Sequence, residues 1–322
     1  MIKAIILDID GVIVGEKNGF NFPTPHKDVL KRLREVHSKG IPIILCSAKP
    51  HYSIQDIIQE SSLDNPHITD AGALIIDPLE NKTIAKHVID PSLVKELLKF
   101  CIDNNIYVEF YTENDYFIQK DQASEITRKH KPILQKDPTI LSDISDESTI
   151  YDILRIMPIA HNEEDKRRVD ALLSPYKNRL SISWGLHPSA LPLQFCIITA
   201  IDSSKKKGAE IVIKTLGFSF QDVLGIGDTT GDWSFIELCG YAATLENGTL
   251  QLKELIKSKG EGKYFIGKTV DKNGILDILK YFHLSEKWVF TVYLLNTRCF
   301  FTNTCNNCCY KRHSIDIQKV VL

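Results

Sequence analysis

Two short runs constrain this chain more than anything else in it. The apolar residues Ile2, Ala4, Ile5, Ile6 and Leu7 lead up to Asp8 and Asp10 in "IILDIDGVIV" (Ile5 to Val14), and "DVLGIGD" (Asp222 to Asp228) repeats the pattern, with Asp232 close behind. An apolar run without polar alternation reads as a strand buried on both faces, as in parallel sheets covered by helices. Unpaired buried carboxylates are costly, so acids at the ends of such strands call for a chemical reason.

The segments around these runs support a layered α/β fold. Asp28 to Lys39 carries Val29, Leu30, Leu33 and Val36 at helical spacing and is stopped by Gly40. "IPIILCSAK" (Ile41 to Lys49) reads as a second buried strand, followed by a helix near Ser53 to Glu60 and a strand in "GALIID" (Gly72 to Asp77). Strand, helix, strand, helix, strand is the rhythm of a parallel sheet with helices on its faces. The rhythm then changes to strand-like runs separated by helices, including two strands around a turn in "IYVEFYTENDYFIQ" (Ile106 to Gln119) and a helix in "NEEDKRRVDALLSPY". It resumes with a helix over Lys206 to Leu216, closed by Gly217. The expectation is a Rossmann-like parallel core in two parts, residues 1–84 and 193–284, with an inserted α+β cap at 85–192 and a C-terminal extension at 285–322.

In open parallel sheets ligands bind at the carboxyl ends of the strands. Here those ends carry Asp8 and Asp10, then Ser47, then Asp228 and Asp232. Several carboxylates in one place repel each other, and a hard divalent cation with oxygen ligands, Mg²⁺ above all, resolves that repulsion. An ionised aspartate can attack phosphorus. Asp10, two residues on, faces the same side as Asp8 and is placed to protonate a leaving oxygen and then to deprotonate a water. Gly11 lets the chain turn its N–H groups toward phosphoryl oxygens.

"DIDGVI", "CSAK", "KKKG" and "GDTTGD", in that order and each at the end of the right element, resemble the four motifs of the haloacid-dehalogenase (HAD) superfamily. The position of the insert is similar to that of the Cof-like, type-IIB subfamily. The resemblance covers about Met1 to Phe282. It implies Asp8 as nucleophile, Asp10 as acid/base, Ser47 and Lys207 on the phosphoryl group, and Asp228 with Asp8 and the Asp10 carbonyl as metal ligands. Asp232 would support the metal site. The chain departs from the pattern at Gly231 and Ala71, where the subfamily usually has Asn, and at Lys49, where Arg commonly stands.

The expected function is a Mg²⁺-dependent phosphatase of a small phosphorylated metabolite, plausibly a sugar phosphate. A phosphomutase is the nearest alternative, and a non-catalytic phosphate-binding module belongs to a different class. Formal net charge is −2, which argues for neither nucleic acid nor an anionic membrane as partner. Hydrophobic content of 43% excludes a disordered chain, and the absence of a leader-like or long apolar segment makes the cytoplasm the expected location. In the cap, His187 and Trp184 are candidates for substrate contact, although a surface histidine and a packed aromatic are the blander expectation. The tail holds Cys305, Cys308, Cys309 and His313; a loosely packed or disordered extension is expected there rather than a zinc site.

Overall fold

A computed structural model describes residues 1–284. The cysteine-rich tail and its expected disorder lie outside the described residues. The central sheet is five-stranded and parallel, built from β1 (Ala4–Leu7), β2 (Ile43–Leu45), β12 (Val223–Ile226), β13 (Tyr241–Leu245) and β14 (Tyr264–Gly267) in the order β14-β13-β12-β1-β2. β1 is an interior strand, with β2 on one side and β12, β13 and β14 on the other. The switch point therefore falls at β1, where a crevice opens beyond the strand ends.

Alternation explains why β1 is wholly apolar. Ile5 and Leu7 pack with Val29, Leu33 and Val36 of the helix Lys27–His37. Ala4 and Ile6 face the other way, toward Ala209, Val212 and Phe235. Each face of the strand is thus covered by a helical layer.

The inserted layer is a six-stranded sheet of β6 (Tyr107–Tyr111), β7 (Tyr116–Gln119), β8 (Thr139–Leu141), β9 (Arg155–Ala160), β10 (Leu180–Gly185) and β11 (Gln194–Ala200). Its order is β10-β11-β9-β6-β7-β8, antiparallel except between β7 and β8. The helix Pro91–Asp103 covers one face through Leu93, Val94, Leu97 and Leu98, against Val108, Phe110, Ile156 and Ile198. Residues of opposite parity, Tyr107, Tyr111 and Met157, join the cluster that contains the central strands. The cap thereby turns one face toward the crevice.

Two expectations are corrected. "GALIID" does not join the parallel sheet: β4 (Leu74–Asp77) pairs antiparallel with β3 (His67–Thr69) and β5 (Lys82–Lys86) in a separate sheet. The chain reverses through Asp70, Ala71 and Gly72, all at positive φ, and parallel pairing needs a long crossover that this turn does not supply. The return to the core comes later than residue 193, because β11 still pairs with β9 and β10. A helix at Glu125–Leu134 was not anticipated; its apolar residues are sparse and Pro132 interrupts the pattern. No described helix is long and apolar enough to cross a membrane.

Candidate active site

Asp8 leaves the end of β1 and is almost fully buried. Parallel register with β12 brings Asp228 alongside, and the loop that follows returns Asp232. Ligand oxygens of Asp8, Asp228 and Asp232 lie within 4.8 Å of one another. The loop is held by Asp232 itself, whose Oδ2 accepts the N–H groups of Asp228 (3.2 Å) and Thr229 (3.0 Å) and the Thr229 hydroxyl (3.0 Å). Gly11 closes over this cluster. Its φ is +74°, and a Cβ there would stand 1.9 Å from Asp228 Oδ2, so a side chain fits neither the backbone nor the space. Asn247 ties the turn down by donating to the Gly11 carbonyl at 2.8 Å.

The lysine of the site is Lys205, and Lys207 is not part of it. Lys205 Nζ lies 3.1 Å from Asp8 Oδ1 and 2.7 Å from Asp232 Oδ1. Ser204 caps the helix Lys205–Thr215, accepting the Lys207 N–H at 3.2 Å, which makes Lys205 the first helical residue. Two residues on, about 200° around the helix, Lys207 is exposed and pairs with Asp202 at 3.0 Å. In a run of three lysines, spacing to Gly208 could not show which side chain turns inward; the packing of the helix against Asp8 and Asp232 decides it.

The electrostatics of the cluster are unbalanced. Burial, followed by the charge of Asp232, pushes the Asp8 carboxyl well above the usual range, with Lys205 opposing. Burial, Asp232 and Asp8 do the same to Asp228. Asp10 behaves in the opposite way. Burial would raise it, but Lys49 and His187 outweigh that and hold it below the ordinary carboxylate range. Lys49 Nζ and His187 Nε2 each stand 3.3 Å from Asp10 Oδ1.

His187 is therefore a site residue and not a surface histidine. It is 6% exposed, and its Nδ1 meets the Ser189 hydroxyl at 2.7 Å and accepts the Ser189 N–H at 3.3 Å, which leaves Nε2 to carry the proton toward Asp10. Trp184 stays away, donating from Nε1 to Asp170 at 3.0 Å. Ser47 follows β2 and is buried at the neighbouring strand end, where its Oγ accepts the Lys49 N–H at 3.1 Å. Lys49 also donates to the Ile133 carbonyl at 2.9 Å, a contact from the core to the cap. Sequence reasoning missed Lys205, Asn247 and Arg155, the last of which lines a cavity with Asp10 and Lys49. The arginine had a signal: a cation inside the otherwise apolar run "ILRIMPIA".

Residues 5–279 match the family model of haloacid dehalogenase-like hydrolases. The chain belongs to that family, and it is a phosphatase of the haloacid-dehalogenase type. Among curated proteins it is 23% identical to the 5-amino-6-(5-phospho-D-ribitylamino)uracil phosphatase YwtE of Bacillus subtilis, over 85% of this chain and 95% of that protein. Among solved structures it resembles the HAD subclass IIB sugar phosphatase BT4131 (TM-score 0.70, 22% identity, 88% of this chain and 99% of that one). It also resembles a haloacid dehalogenase-like hydrolase from Bacteroides thetaiotaomicron (TM-score 0.75, 17% identity, 88% and 100%).

Proposed function

We propose that this phosphatase depends on Mg²⁺ and hydrolyses a small phosphomonoester through an aspartyl-phosphate on Asp8. The observation that carries the reading is the trio of buried Asp8 and Asp232 with half-buried Asp228, compensated by Lys205 alone among the described residues that pair with it. The donor set is all oxygen and its charge is in excess, which fits a hard divalent cation. Asp8, Asp228 and the Asp10 carbonyl would hold the ion, with Asp232 in support. When bound, Mg²⁺ neutralises phosphoryl charge and keeps Asp8 ionised.

The chain's own groups account for the rest. An Asp8 oxygen attacks phosphorus and the ester P–O bond breaks; Asp10, which Lys49 and His187 hold ionised, must first take up a proton from solvent before it can protonate the leaving oxygen. Asp10 then takes a proton from water, which attacks the acyl phosphate, releasing inorganic phosphate and restoring the Asp8 carboxylate. Lys205, the Ser47 hydroxyl and N–H groups of the Gly11 turn bind phosphoryl oxygens, supplying the electrostatic share that proton transfer alone cannot. His187 and the cap face beside it limit access of bulk water. The four described cysteines, Cys46, Cys101, Cys196 and Cys239, are free and buried, in keeping with a reducing, cytoplasmic setting. The test is phosphate release from a panel of phosphorylated metabolites with and without Mg²⁺. Isomerised ester in place of free phosphate would make the enzyme a mutase, and no turnover would refute the reading.

A further inference from the structure

Beside Asp10 lies a cavity of about 90 Å³ between the strand ends and the cap. Ile133, Leu134, Met157 and Phe195 give it apolar walls, and Lys49, Arg155 and His187 also line it. Arg155 is the unusual member. It is 1% exposed, its guanidinium stacks 3.8 Å from the centre of the Tyr111 ring, and Nη1 donates to the Ala48 carbonyl. Nε and Nη2 make no hydrogen bond. The facing acid, Asp70, stands 3.8 Å from Nη2, close enough to balance charge and too far for a hydrogen bond. Asp70 Oδ1 and Oδ2 are also without a hydrogen bond, and buried polar groups left in this state are rare and call for a further partner.

The cavity itself says what kind. Asp10 is the one acid among its lining residues, against Lys49 and Arg155, so the wall itself carries a cationic excess, which Asp70 beside Arg155 offsets in part. A neutral polyol needs acceptors as well as donors. The neighbouring carbonyls of Ile133 and Leu134 already accept from Lys49 (2.9 Å) and Ser53 (2.8 Å). A planar fork of N–H groups suits a carboxylate.

We propose that Arg155 binds a carboxylate on the leaving group, so that the preferred substrates are phosphoesters of small hydroxy acids. This rests on the phosphatase reading above and narrows it. The pair 3-phosphoglycerate and glycerol 3-phosphate tests it, because the two differ only in carboxylate against hydroxymethyl. The full chain with Mg²⁺ should show a kcat/KM roughly ten- to a hundredfold higher for the carboxylate ester. In Arg155→Lys and Arg155→Met, with folding checked by thermal denaturation, that ratio should collapse toward one, mainly through KM. The wild-type comparison stands even if a variant fails to fold. Equal rates, or a preference for glycerol 3-phosphate, overturn the carboxylate assignment while leaving the phosphatase in place. Release of phosphate from neither ester nor from p-nitrophenyl phosphate overturns both.

Discussion

Two groups of buried carboxylates, one at the strand ends and one in the cap, meet burial in opposite ways. In the cap, Glu109 is fully buried, yet His130 Nδ1 stands 2.9 Å from one of its oxygens, Tyr107 donates at 2.9 Å, and the Tyr111 hydroxyl donates as well. Burial alone would raise its carboxyl; His130 and the hydroxyls more than offset this and hold it below the usual range. At the strand ends three acids share Lys205 and two of them are pushed upward. The cap has matched its acid with donors, as a structural network must. The strand ends have not, and the shortfall is what the proposed Mg²⁺ would make good.

The sharpest way to break this contrast is Asp8→Asn. Phosphate release should fall on the order of 10⁴-fold or more, while thermal stability holds or rises, since one repelling buried charge is gone. A variant that still turns over removes Asp8 as nucleophile. Glu109→Ala should do the reverse, costing about 3–5 kcal/mol of stability in denaturant titrations, because it strips a buried partner from His130. The sign with pH follows from the lowered carboxyl. Glu109 contributes stability above the unfolded value, near 4.3, and that contribution disappears as pH falls through its lower folded value. Glu109→Gln should therefore flatten the acid limb of the stability curve.

Lys205→Met should lower kcat by about 10²–10³-fold, the usual loss for one preorganised charge partner. Lys207→Met, on the exposed turn, should change stability by less than about 0.5 kcal/mol and leave turnover alone. The reverse result would restore Lys207 to the site. The gentlest test is Mg²⁺ itself. At a hundred times its Kd it should stabilise the wild type by about 2.7 kcal/mol, and Asp228→Asn should lose most of that gain while Glu109→Gln keeps it.

Some of this was legible without coordinates. Apolar strands that end in aspartates, and the order of four short motifs, placed Asp8, Asp10, Gly11, Ser47, Asp228 and Asp232 at one sheet edge, because a strand buried on both faces leaves its pattern in consecutive residues. The helix Lys27–His37 lay within two residues of its expected bounds for the same reason. The antiparallel turn at Asp70–Gly72 was not legible: the following run is as apolar as a parallel strand, and only the positive φ values separate the two.

What the sequence determined by itself is therefore the strands β1, β2 and β12 with their acidic edge, which follow from local periodicity and from residues close along the chain, and, through the resemblance of four short motifs, the reaction class. The tertiary structure decided which lysine turns inward, that His187 reaches Asp10 from the cap, and that Arg155 meets the cavity with unused donors. Those facts join residues 100 or more positions apart, such as Ala48 with Arg155 (107 apart). Packing and burial set such contacts, and no spacing in the chain encodes them.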